Sequence, residues 1–327
     1  MTFEFTVHPG FNFIKSFGEH FNIPVKDDTL ILPVSMGKGF IRFKEIEPGV
    51  KFALHHYTMS EDFHLIRKSP QENHDIVSIV FNSNEIPRDV TPDRQTAIQF
   101  LKNNGSSIQI ASSALSTETI FPGGVEIYFG VIGIRREVLM TALGLDNVRG
   151  PLEMILHGDG LFFYHEKMVP DILRTLKQLS EVSDEDALSA LYHKIKIHEL
   201  IYLLFHKLLD RGNDKQRPVN KADIDKLAAI RTAILADLSQ PPELSALAKM
   251  SGMSETKMKQ LFKQTFGDTI YNYYQNERMQ EAGFLLTQAG YSVSEAGYQL
   301  GFSNLSHFSR LFEKHFGATP KKYAAAG

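Results

Sequence analysis

The last third of the chain contains a repeat about 50 residues apart. A repeat at that period is one supersecondary unit used twice. The first copy, LSALAKMSGMSETKMKQLFKQTFG, runs from Leu244 to Gly267, and the second, VSEAGYQLGFSNLSHFSRLFEKHFG, from Val293 to Gly317. Gly252 matches Gly301 and Ser254 matches Ser303 at an offset of 49. Phe262 matches Phe312 and Gly267 matches Gly317 at an offset of 50, so the second copy holds one extra residue in or near its turn. Each copy reads as a short helix, a glycine turn, a capping Ser or its neighbour, and a second helix closed by Gly. That is the pattern of a helix-turn-helix.

The second helices carry the chemistry. At 100° per residue, Met258, Leu261, Phe262 and Phe266 form an apolar stripe, with Thr256, Lys259, Gln260 and Lys263 opposite. In the second copy Leu305, Phe308, Leu311 and Phe312 point inward, while Ser306, His307, Arg310 and Lys314 point outward. Both outward faces are cationic and hydrogen-bonding, with Glu313 an acidic exception. One such stripe is ordinarily just a solvated helix face. Two matched copies with the same turn signals favour base edges and phosphates as its partners. Between the copies, Thr269 to Gln288 reads as one long helix, with Tyr271 and Tyr274 spaced for burial. A rigid connector can hold two reading helices about 34 Å apart, one turn of duplex DNA.

With 327 residues the chain is long enough for two domains. Before the repeat, a helix with Ile224, Leu227, Ile230, Ile234 and Leu238 follows a polar stretch, Asp210 to Asp223, that reads as a linker. Residues 1–133 hold seven strand-like runs between turn signals: TLILPVS, GFIRFKEI, VKFALHHY, DFHLIRK, DIVSIVFN, SIQIASS and VEIYFGVIGI. Residues 166–209 switch to helical spacing, with Leu188, Leu191, Ile195, Leu200, Leu204 and Leu208 among the apolar positions. Those helices either cover the sheet or pair two copies of the chain. The division is therefore 1–165 for a β-rich sensor, 166–210 for a helical dimerisation segment, 211–221 for a linker and 222–327 for DNA binding.

Charge adds little. Residues 222–327 carry 11 Lys and Arg against 10 Asp and Glu, so placement of charge matters more than its sum. There is no cysteine, which excludes disulfides, thiolate metal sites and cysteine nucleophiles. The opening residues lack the pattern of a secretory signal, and HELIYLLFHKLL is too short for a membrane span, so a soluble cytoplasmic protein without a membrane partner is expected. Histidines at 55, 56, 64, 74 and 157 raise a metal site, but neighbours on a strand face opposite ways, so His55 and His56 cannot share one ion. One of them lining a ligand pocket is the better expectation; no metal and no cofactor are assigned. No nucleophile elbow, phosphate loop or dinucleotide fingerprint is present, and no catalytic residue is named.

The C-terminal segment resembles the DNA-binding domain of the AraC/XylS family of transcription regulators. The resemblance covers about 100 residues. It rests on Leu247, Ala248, Gly252, Met253 and Ser254, then Phe262, Lys263 and Gly267, then Arg278, Ala282, Leu285 and Leu286. It closes on Gly301, Phe302, Ser303, Phe308, Ser309, Arg310, Phe312, Gly317, Thr319, Pro320 and Tyr323. The resemblance implies an α+β chain: an N-terminal β-rich, cupin-like sensor domain with a helical dimerisation segment, then an all-α domain with two helix-turn-helix units. It implies base contacts from Thr256, Lys259 and Gln260, and from Ser306, His307 and Arg310. Phosphate contacts fall to Lys257, Lys263 and Lys314. The partners implied are double-stranded DNA, a small-molecule effector of unknown identity, a second copy of the chain and RNA polymerase, with activation expected over repression. The chain departs from the family at Ala296-Gly297, which should pack less than the usual pair, at Glu313 and at Ala324. A cupin-type enzyme fused to a DNA-binding domain, or control by a protein partner, are the alternatives.

Overall fold

The computed structural model describes residues 1–71, 75–83, 106–182, 186–212, 216–287 and 289–326. The chain divides into two compact units, the first ending at Lys221 and the second taking up the chain from Ala222.

In the first unit the strands are β1 (Thr2–Thr6), β2 (Val25–Lys26), β3 (Thr29–Ile31), β4 (Gly37–Glu47), β5 (Val50–Met59), β6 (Phe63–Lys68), β7 (Ile76–Asn82), β8 (Ser107–Ser112), β9 (Thr117–Phe121), β10 (Glu126–Arg135) and β11 (Phe163–Lys167). The helices are α1 (Phe13–Phe21), α2 (Arg136–Leu143), α3 (Pro151–His157), α4 (Pro170–Glu181) and α5 (Ser189–Leu209). Eight strands form one sheet in the order β11-β8-β7-β10-β5-β4-β3-β2, and β1-β6-β9 form another. Only β1 and β6 run parallel among the described pairs. All seven strand-like runs of the sequence contain strands, and β1, β2, β9 and β11 are additions.

Strand alternation divides the unit into two cores. Val50, Phe52 and Leu54 of β5 join Ile79, Phe81 and Ile132 on the face covered by α3, α4 and α5. Ala53 and Tyr57 of the same strand join Phe43, Phe129 and, across from them, Phe3, Phe63 and Phe121 of the smaller sheet. His55, between them in the alternation, lies buried on that second side.

The face of α5 that carries Leu200, Leu204 and Leu208 is intramolecular core, packed with Ile197 and Ile201 against the large sheet. Of the two readings left open for this segment, the face with Leu200 and Leu204 takes sheet cover: a periodic pattern shows that a helix face is covered, but not by what. The exposed apolar residues of this segment are Leu188, Leu191, Ile195, Tyr202 and Leu209. Two residues of the 211–221 linker are packed against the first unit. Arg211 pairs with buried Glu166 of β11 and donates to the His165 carbonyl at 2.7 Å. Val219 is buried and donates its N–H to the Leu161 carbonyl at 3.0 Å.

The second unit is helical: α6 (Lys221–Ala236, which begins one residue earlier), α7 (Leu244–Ser251), α8 (Glu255–Phe266), α9 (Ile270–Thr287), α10 (Val293–Gln299), α11 (Leu305–Phe316) and α12 (Pro320–Ala326). Tyr274 is buried, its hydroxyl donating to the Leu238 carbonyl at 3.2 Å, and Tyr273 is buried with its hydroxyl accepting from Arg231 at 2.7 Å. Tyr271, expected inside, is exposed. Gln288 lies outside the described residues.

Candidate functional site

The repeat builds two helix-turn-helix units, α7–α8 and α10–α11. In the first, Gly252 takes a left-handed φ of 61° and its N–H returns to the carbonyls of Ala248 and Lys249, ending α7. Two residues later the Ser254 hydroxyl accepts from the Lys257 N–H at 3.3 Å and starts α8. Met258, Leu261 and Phe262 are buried, which turns the other face outward. Thr256, Lys257, Lys259 and Lys263 are exposed there, with Gln260 half-buried.

In the second unit the extra residue lies between the turn glycine and the helix. Gly301, at φ 75°, ends the turn so close to Ser239 that a Cβ there would stand 2.0 Å from the Ser239 carbonyl oxygen. The cap of α11 is Asn304 rather than Ser303: its side-chain oxygen accepts from the Ser306 and His307 N–H groups at 2.9 and 3.0 Å. Cap aligned with cap, Thr256 corresponds to Ser306, Gln260 to Arg310 and Lys263 to Glu313, all at an offset of 50. Ser306, His307, Arg310 and Lys314 are all exposed, and Phe308 and Phe312 are buried.

Three contacts were not legible from the stripe alone. Lys257, assigned above to a phosphate, is held by the buried Asp223 carboxylate at 2.7 Å. Lys259 pairs with Glu255 at 2.9 Å across one helical turn, both half-exposed. Arg278, buried in α9, donates its Nε to the Leu300 carbonyl at 2.8 Å and lies 3.6 Å over the Phe302 ring, which fixes the second turn to the connecting helix. The Ala296-Gly297 pair does not loosen α10. A Cβ on Gly297 would meet Leu305 at 2.6 Å and Phe308 at 3.2 Å, so the glycine permits close approach of α11.

The first unit holds a second feature, a cavity of about 440 Å³ between its two sheets. That is within the usual size of small-molecule pockets. His55 lines it, its ring stacked on Phe129 at 4.1 Å and edge-on to Phe13 at 4.9 Å. Burial lowers its pKa from 6.5 to about 3, so the ring is neutral, and its Nδ1 has no hydrogen-bond partner. The other histidines scatter. His56 bonds Glu126 at 2.8 Å, His64 is 3.8 Å from Glu118, and His157 is exposed in the last turn of α3. His74 lies outside the described residues. No group of three metal-ligating side chains occurs among the described residues, and none of their helices is long and apolar enough to cross a membrane.

Two capped helix-turn-helix units on one connecting helix, each turning a polar face outward, define a helix-turn-helix DNA-binding protein. Residues 247–326 match the family model of a helix-turn-helix domain. The transcriptional activator RhaR of Mannheimia succiniciproducens is 32% identical over 154 residues, covering 46% of this chain and 55% of that protein. The "Probable transcription factor PqrA" of Proteus vulgaris is 32% identical over 85 residues, covering 26% of this chain and 70% of that protein. Among solved structures, an AraC-type regulator from Chromobacterium violaceum is 31% identical and covers 32% of this chain and 95% of its own, with a TM-score of 0.30. The chain spans about half the length of RhaR. It belongs to the AraC/XylS family of transcription regulators, a class of DNA-binding proteins and not of enzymes.

Proposed function

We propose that the chain is a sequence-specific, effector-responsive transcription activator that reads one DNA face with α8 and α11. The observation that carries this is the matched pair of exposed polar helix faces, each started by its own side-chain cap. Thr256, Lys259 and Gln260 read bases in one major-groove segment, and Ser306, His307 and Arg310 in the next. Lys263 and Lys314 neutralise phosphates, and Lys257, paired with Asp223, sets the start of α8 while its exposed side faces the backbone.

The front unit is the sensor in this reading, cupin-like in form, and the cavity between its sheets is the effector site. Two chains associate through the exposed side of α5. Leu188, Ile195, Tyr202 and Leu209 recur there every seven residues with Leu191 beside them, the spacing of a helix–helix seam. RNA polymerase is the further partner through which an activator acts, and the compartment is the cytoplasm. Footprinting of the full chain on DNA selected from a random pool tests the reading. Protection of two segments one helical turn apart supports it, and protection of a single segment overturns the two-helix arrangement.

A further inference from the structure

Among the described residues, the cavity between the sheets contains a charged group with no ion-pair partner. Arg67 sits on β6, opposite Thr117 of β9, and lines the cavity. It is buried, and its Nε donates to the Leu115 carbonyl at 3.1 Å. No carboxylate lies within ion-pair distance of it among the described residues. The other two Lys and Arg residues of the lining differ. Lys51 donates to the carbonyls of Pro9 and Phe11, and Arg135 pairs with Glu137 at 2.8 Å. Glu45, the carboxylate of the lining, faces Lys51 in the β4–β5 register on the opposite sheet.

A guanidinium taken out of water with a single carbonyl partner is costly unless something arrives to complete its hydrogen bonds. Burial lowers the Arg67 pKa from 12.5 to about 10, which leaves it charged at neutral pH. The orphaned Nδ1 of neutral His55, on β5 of the opposite sheet, is a second unsatisfied polar atom in the cavity lining. Around them the lining is mostly aromatic and aliphatic, with Phe13, Phe43, Phe121 and Phe129 among its members beside polar Asn82 and Gln109. Such a lining suits an apolar body with one anionic end.

We propose that this cavity takes a small amphipathic monocarboxylic acid, its carboxylate on Arg67 and its apolar body among the phenylalanines. The proposal rests on the reading of the front unit as the effector site. Arginine's planar fork matches a carboxylate at two points, and that pairing inside an apolar cavity discriminates strongly against neutral isosteres. Sequence patterning hides this, because a basic residue near a strand end ordinarily reads as solvent-facing.

The test is calorimetric titration of the full chain, without DNA, using decanoate and 2-naphthoate beside decanamide, 2-naphthamide and 2-naphthyl phosphate. At least one acid is expected to bind about 10- to 100-fold tighter than its amide. Arg67→Met, which keeps length and removes charge, is expected to abolish that preference while unfolding at no lower temperature than the parent. Arg67→Lys, which keeps charge but not the fork, carries the test if the Met variant does not fold, and is expected to weaken the acid and leave the amide unchanged. Amides binding as well as acids, or the phosphate binding best, overturns the carboxylate assignment and leaves the effector site standing. No binding by any probe overturns both. Acid binding that leaves the DNA footprint unchanged sustains the ligand assignment and removes the effector reading.

Discussion

The Lys257 ammonium lies 2.7 Å from the Asp223 carboxylate and so ties the first turn of α8, the proposed reading helix, to the start of α6. Asp223 is buried and Lys257 about half exposed, so the pair is neither a screened surface contact nor a dry one. Lys257→Ala is expected to cost roughly 1–2 kcal/mol of stability in thermal unfolding, discounted for that exposure. The slope of DNA affinity against salt should change by well under one unit. A full unit of change would return Lys257 to direct phosphate contact.

Lys263 and Arg310 should separate cleanly. Lys263→Ala is expected to weaken binding to all sequences alike and to make the salt slope shallower by about one unit. Arg310→Ala should relax base preference at one or two positions of the distal segment, at about 1–3 kcal/mol. Binding selections with both variants on the same library check this. A uniform loss for Arg310→Ala reverses the assignment.

Gly297→Ala probes close packing in the second unit. The added Cβ falls against Leu305 and Phe308, and overpacking of that kind costs about 1–3 kcal/mol. Protection of the distal DNA segment should fade before that of the proximal one, as footprinting across a protein titration will show.

The two sides of α5 predict opposite outcomes for the same substitution. Leu200→Glu places a charge in the core beside Ile197 and Leu204 and should leave little folded protein. Ile195→Glu with Tyr202→Glu changes exposed positions and should give a folded monomer by analytical ultracentrifugation. A dimer in that double variant removes the seam from the exposed side of α5.

His55 makes stability depend on pH in a known direction. Its folded-state pKa lies near 3 against 6.5 in the unfolded chain, so the unfolded state binds more protons between those values. The contribution is fully present above pH 6.5 and is lost as pH falls toward 3. Within that window the slope approaches about 1.4 kcal/mol per pH unit. His55→Gln should flatten the fall in thermal midpoint from neutral to mildly acidic pH.

The second unit was legible because its signals are local. Gly252, Gly267 and Gly317 take left-handed conformations at helix ends, and Ser254 caps the helix that follows it. The extra residue of the second copy was legible as an offset, but not that Asn304 takes over the cap, since Ser303 and Asn304 are both good caps. Partners distant in sequence were not legible. Nothing near Leu200 says that a sheet covers it, and nothing near Arg67 says that β6 turns it into a cavity. Tyr271 and Tyr273 lie on opposite sides of one helix, and it is Tyr273 that meets Phe262, Phe266 and Arg231, partners distant in sequence.

The cap-to-cap alignment of the two units also gives the molecule a sense of direction. Gln260 answers to Arg310 and Lys263 to Glu313, so in the proposed reading one end of the chain's footprint is read in amides and ammonium groups and the other in guanidinium and imidazole. A single chain therefore has a head and a tail on DNA, and an inverted site is a different site. Within the AraC/XylS reading, the orientation of the site in a promoter decides which way each chain's reading helices run relative to the start of transcription.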